Sequence, residues 1–151
     1  MTSYGETAAE LFGNGYNCAQ AVVGAFAEAF GHDAVRSMQM VQPLGGGVGR
    51  QREVCGAVTG MCLVLGMAEG NGEPGASNKK EIYEATRALC DAFRTENGSI
   101  LCRDLLGFAE GEKGGDPEPR TERYYKTRPC KELVAHAAEI VAAYLSEKGL
   151  L

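Results

Sequence analysis

No Cys-x-x-Cys pair occurs in this 151-residue chain, although it contains six cysteines. That absence argues against a thioredoxin-type motif and against the paired knuckles of common zinc ribbons and fingers. Cys-x-x-Cys-His is missing too, which excludes covalently attached c-type haem. Nitrogen ligands are scarce, since His32 and His136 are the only histidines. Basic excess is also lacking: the net charge is −5 and the sequence pI about 5.1, so nucleic acid is not an expected partner. The longest apolar stretch, Val54 to Ala68, holds three glycines and falls short of the about 20 apolar residues that span a bilayer, so no membrane insertion is expected. The start Met1-Thr2-Ser3-Tyr4-Gly5-Glu6 has no basic n-region and no apolar core. It predicts no secretory signal and a cytoplasmic location.

What remains is one domain, 1–151, of 16.0 kDa. A chain of that size buries roughly 68–70% of its unfolded surface and needs no disulfide staples. Six cysteines in such a setting are catalytic, metal-binding or simply packed.

The pattern is helical almost throughout. Thr2 or Ser3 can cap a first helix carrying Ala8, Leu11 and Phe12, ended by Gly13-Asn14-Gly15. After Asn17, residues Cys18, Val22, Ala25, Phe26 and Ala29 form an amphipathic stripe. Asp33 can cap a third element through Met40. The turn from Leu44 to Arg50 leads into a fourth helix over about 52–67, apolar nearly all round and so placed at the centre of a bundle. Gly56 and Gly60 lie one turn apart on that helix, where a missing side chain allows close approach of another helix or a ligand. Gly70 to Ser77 reads as a loop. Ser77 or Asn78 starts a helix with Ile82, Ala85, Thr86, Leu89 and Phe93 inward, ending near Asn97-Gly98. Ser99 caps a short helix closed by Gly107. Glu110 to Arg120 reads as an exposed loop, and Pro129 opens a last helix through Leu145. No segment alternates as a strand does. The expected fold is all-α, a bundle of six or seven helices around the apolar one.

Four cysteines, Cys18, Cys55, Cys102 and Cys130, then fall in the first turn of four separate helices. Free backbone N–H groups and the positive end of the macrodipole favour a thiolate there. The dipole contributes only about 0.3–1 kcal/mol. Direct N–H···S bonds and nearby cations must supply the rest, and Arg50, Arg52, Arg103 and Arg128 are close in sequence. Taken singly, each cysteine could equally be a buried small hydrophobe. Cys62 and Cys90, in mid-helix, are read as packing residues. Gly45, Gly47 and Arg50 occupy the places of G-x-G-x-x-G, but the last glycine and the preceding strand are missing, as is a Walker-type Gly-Lys-Ser/Thr. Gly47, Gly49 and Arg50, with Gly56 and Gly60, are instead read as bringing backbone close to whatever Cys55 holds; a plain connection before a buried helix is the alternative. His136 is read as packed, and Tyr124-Tyr125 as aromatic packing near Cys130.

Cys55-Gly56-Ala57-Val58-Thr59-Gly60 resembles the Cys-Gly-Ala-x-x-Gly signature of a family of redox-active proteins named for four invariant cysteines. Gly15 to Val22 is similar to its first cysteine motif and Cys102-Arg103-Asp104-Leu105-Leu106-Gly107 to its third, with Cys130 at the place of the fourth. Cys62 and Cys90 lie outside the pattern. The resemblance implies redox activity and extends to part of the split-Soret cytochromes, where such cysteines hold an iron–sulfur centre beside haem. Without haem-attachment motifs, only the iron–sulfur part carries over. The preferred expectation is a 2Fe–2S-type cluster on Cys18, Cys55, Cys102 and Cys130, serving electron transfer or redox sensing with a redox partner protein. The alternatives are metal-free thiol–disulfide chemistry by the same cysteines, or a zinc-binding structural module. A homodimer is compatible with the sequence but not required by it.

Overall fold

A computed structural model describes residues 2–75, 78–107 and 113–151. Ser77 as a helix start, and residues 110–112 of the expected loop, lie outside the described residues. Among the described residues there are eight helices and no strand: α1 (Tyr4–Gly13), α2 (Cys18–Phe26), α3 (Ala34–Val41), α4 (Gly56–Glu69), α5 (Lys79–Asn97), α6 (Cys102–Leu106), α7 (Glu122–Thr127) and α8 (Cys130–Glu147). The chain is all-α. None of these helices is long and apolar enough to cross a membrane.

Side chains set the helix starts. Ser3 and Glu6 form a reciprocal capping box on α1, and Asn17 and Gln20 form a second on α2. Asp33 accepts from the Arg36 N–H at the start of α3. Gly98, at φ 96°, ends α5. Helix α2 continues as a 3₁₀ turn, Ala27–Phe30, and α3 as another, Gln42–Leu44.

The core lies where α2, α4 and α8 meet, with α1 across α2 and α8 and with α5 along α4. Val22, Phe26, Val58, Met61, Val134 and Val141 are wholly or almost wholly buried in it. Helix α4 is the central apolar one, although Leu63 and Gly66 face solvent. Gly60 is where α2 and α4 touch: a Cβ there would lie 3.0 Å from Val22 Cβ and 3.1 Å from the Ala19 carbonyl oxygen. Gly60→Ala is expected to destabilise the protein by up to about 2 kcal/mol in urea unfolding, overpacking of about 1–3 kcal/mol set against a helix-propensity gain of about 1 kcal/mol. An unchanged or raised midpoint would show that the two helices can separate without loss.

Three boundaries differ from the sequence reading. Helix α4 starts at Gly56 rather than about Arg52, because Arg52 has φ 60° and Val54 forms an isolated antiparallel bridge with Leu101. Ser99 does not cap α6; its hydroxyl accepts from the Leu101 N–H and donates to the Asp104 carboxylate, and Leu101 takes the cap position. Pro129 is the residue before α8 rather than within its first turn. Helix α7, capped by Thr121, was not foreseen.

A candidate four-cysteine redox site

Cys18, Cys102 and Cys130 are the first residues of α2, α6 and α8, and Cys55 directly precedes α4. All four line one cavity of about 420 Å³. The four elements that carry them are joined by backbone bonds and small residues rather than by long side chains. Asn17 Nδ2, just before Cys18, donates to the Gln42 carbonyl at 2.9 Å and so ties α2 to the glycine-rich segment. The Cys55 N–H donates to the Ile100 carbonyl at 2.8 Å, and the Cys102 N–H to the Glu53 carbonyl at 2.7 Å. These two bonds flank the Val54–Leu101 bridge. Because side chains alternate across such a ladder, Cys55 and Cys102 project from the same face of it. Cys18 and Cys130 form the other pair, close enough for each thiol to shift the other's pKa.

The glycine-rich segment closes the cavity with an unusual backbone. Gly46, Gly47, Val48, Gly49 and Arg50 all have φ between 57° and 68°, one left-handed turn, and Arg52 follows at 60°. The turn returns bonds across itself, Arg52 N–H to Gly46 and Glu53 N–H to Gly47, at 3.1 and 3.0 Å. Left-handed conformation costs a non-glycine residue about 1–2 kcal/mol. Val48, Arg50 and Arg52 therefore store strain beside the cysteines, where such outliers tend to gather. The segment carries no room for side chains either. A Cβ on Gly47 would lie 2.7 Å from Cys102 Cβ, and one on Gly56 would lie 3.1 Å from Cys18 Cβ.

Gly47, Gly49, Arg50 and Gly56 line the cavity. Gly60 sits deeper and packs against Ala19 and Val22. The cations divide. Arg52 is buried, 5% exposed, and its Nη1 donates to Cys102 Sγ at 3.6 Å. Arg128 borders the cavity and pairs with Glu118, while Arg103 turns outward to Glu53 at 3.5 Å. Arg50 Nε donates to the Gly114 carbonyl at 2.8 Å. Arg120 was missed by sequence reading, which left it in an exposed loop. Its guanidinium stands 4.1 Å from the centroid of the Phe12 ring and donates to the Phe12 and Tyr16 carbonyls at 2.9 and 3.0 Å. No local pattern marks that residue; the carbonyls it reaches, of Phe12 and Tyr16, are more than a hundred positions away.

Burial dominates the thiols but does not treat them alike. Cys55 is pushed up to about 12 by desolvation, even though the Ala57 and Val58 amides donate to its sulfur. Cys102 is raised by burial against the opposing Arg52 bond. Cys18 is raised by the neighbouring Cys130 thiol and by burial. Cys130 is lowered to about 7, first by the Cys18 thiol and then, against burial, by Arg128, Arg120 and Arg52. Tyr124 is pushed up to about 12 by burial and by Cys130. His136 takes no part. Its Nδ1 lies 2.8 Å from Asn97 Oδ1 at the end of α5. Cys62 and Cys90 do not line the cavity.

A family model described as "Putative redox-active protein (C_GCAxxG_C_C)" matches residues 16–144. No curated protein and no solved structure matches the chain.

Proposed function

Because the chain belongs to the redox-active C_GCAxxG_C_C family, we propose that Cys18, Cys55, Cys102 and Cys130 hold a 2Fe–2S cluster and that the protein carries or senses electrons. The observation that carries this reading is the disposition of the thiols: four, from four helix starts, around one cavity and in two pairs. Four cysteine thiolates are the complement of such a cluster, and two irons divide them into pairs. Among the described residues no three His, Cys, Asp or Glu side chains are gathered to hold one metal ion. A mononuclear zinc site is the weaker reading because the four cysteines lie on four separate elements with no Cys-x-x-Cys knuckle among them.

The surroundings suit the charge. An oxidised core of +2 with four thiolates is dianionic. Arg52, Arg120 and Arg128 lie about the cavity, and α2, α4 and α8 point their N-termini toward it. When bound, the group would supply one-electron transfer. The residues of this chain would hold it, neutralise it through the arginines and keep the glycine backbone close against the cysteine stems. A redox partner protein would exchange the electron.

Anaerobic purification with iron and sulfide analysis is expected to give a coloured protein with roughly equimolar iron and acid-labile sulfide, and a paramagnetic signal on reduction. A colourless, iron-free protein after attempted reconstitution would sink the reading. One observation favours a second one: the closeness of Cys18 and Cys130, with Cys130 lowered to about 7. In a metal-free thiol–disulfide protein these two would close reversibly under oxidation. Peptide mapping of the iron-free chain would then show that one cross-link.

A further inference from the structure

One wall of the four-cysteine cavity is a single layer of chain. Gly115, Pro117, Glu118 and Arg120 line the cavity, yet residues 114–119 are all exposed to solvent. Cys55, Cys102 and Cys130, in the same cavity, are only 4%, 7% and 8% exposed. We propose that residues 114–120 are a hinged lid over the cavity, turning at Gly114-Gly115 and latched by Arg120, and that its opening is the way in to the thiols. The inference rests on the four cysteines being the functional site, but not on which group they hold.

Hinge, bar and latch follow one another along the chain. Gly114 is clamped to the left-handed turn: its N–H donates to the Arg50 carbonyl at 2.9 Å, and its carbonyl accepts from Arg50 Nε at 2.8 Å. Gly114 and Gly115 then stand at φ 74° and 78°, with no atom within 4 Å of either Cβ position. Nothing crowds the backbone there, and glycine can change the sign of φ at little cost. The bar is Asp116-Pro117-Glu118-Pro119-Arg120. Each proline fixes its own φ and keeps the residue before it extended, so the bar moves as a unit.

The latch is at the far end. The Arg120 guanidinium donates to the Phe12 and Tyr16 carbonyls at 2.9 and 3.0 Å and to the Tyr125 hydroxyl at 3.3 Å. It also lies 4.1 and 5.0 Å from the ring centroids of Phe12 and Tyr124, within cation–π range. Glu118 adds an ion pair to Arg128 midway along the bar. No side chain of residues 114–119 is buried. A segment held by so few contacts, nearly all of them polar, opens locally while the rest of the fold stays intact. When closed, it reaches from the turn that packs on Cys102 to the loop that leads into Cys18, and so bridges the two cysteine pairs.

The test is pulse labelling of the whole, reduced, iron-free chain with iodoacetamide under native conditions, followed by tryptic mapping. Because it reads thiols and not iron, its outcome is separate from whether a cluster binds. Peptides 1–36, 95–103 and 127–131 carry Cys18, Cys102 and Cys130, and 88–94 carries Cys90 as a reference outside the cavity. Arg120→Met should label Cys18 and Cys130 roughly tenfold faster or more, through the lost hydrogen bonds. Loss of the charge alone would slow Cys130, since Arg120 helps to lower that thiol, so faster labelling reports opening. Gly115→Ala leaves the aromatic latch untouched and disfavours the closed backbone at φ 78°. It should speed the same cysteines about fivefold or more. Cys90 should keep its wild-type rate in both variants. The proposal is overturned if the cavity cysteines label no faster in either variant, if Cys130 slows in Arg120→Met, or if Cys90 accelerates together with them, which is unfolding and not a lid.

Discussion

Gly47→Ala is expected to lower the stability of the protein by about 2–5 kcal/mol and to abolish the four-cysteine site. Two costs add. The residue sits at φ 66°, which charges a side chain about 1–2 kcal/mol. The new methyl would also press on Cys102 Cβ and the Glu53 N–H at 2.7 Å and on the Glu53 carbonyl at 2.9 Å, overpacking that costs about 1–3 kcal/mol. The contact with Glu53 makes the second cost a functional one. Cys102 hangs from the Glu53 carbonyl by its own N–H, so a displaced Glu53 carries Cys102 with it. Thermal melts should show a fall on the order of 10 °C, and under the proposed reading the iron content after reconstitution should fall as well. Gly49→Ala is the control, since it has φ 57° but no atom within 4 Å of its Cβ position. If Gly47→Ala is no worse than Gly49→Ala, close packing against Cys102 is not what the turn provides.

Arg52→Met separates the chemistry from the scaffold. The guanidinium is buried and donates to Cys102 Sγ, and a hydrogen bond to a charged group contributes about 1.5–3 kcal/mol. Methionine keeps much of the length and removes the charge. In metal-free protein, alkylation of Cys102 by iodoacetamide should slow roughly tenfold or more, in line with that loss. Iron retention should fall in parallel with the alkylation rate. Arg52→Lys, which keeps the charge without the planar fork, is expected to recover part of both. Unchanged Cys102 reactivity in Arg52→Met would remove Arg52 from the account of the site.

Much of this architecture is legible in local signals. Ser3, Asn17 and Asp33 are cap residues that act within three positions, so α1, α2 and α3 could be read without tertiary information. The apolar stripes of α5 and α8 have the helical period, and Leu89, Phe93, Val134 and Val141 are buried on them. Cys18, Cys55, Cys102 and Cys130 stood out for the same reason, since a helix start is a local property. What escaped is non-local. The Val54–Leu101 bridge pairs residues 47 positions apart and delays α4 to Gly56. The left-handed turn puts Val48 and Arg52 where their own preferences oppose it, and only surrounding bonds hold them there. Arg120 finds Phe12 across the chain.

The convergence of four helix starts on one cavity also fixes an order of events. Its walls come from residues near 18, 55, 102 and 130, so no early stretch of chain can assemble it alone. Domains are made from the N-terminus onward, and contacts between distant segments form late in folding. The last wall waits for α8 to dock on α1, α2 and α4. Until Cys130 has emerged from the ribosome, a nascent chain offers at most three of the four thiols. Any group held by all four thiols can be bound only after α8 has been made and docked.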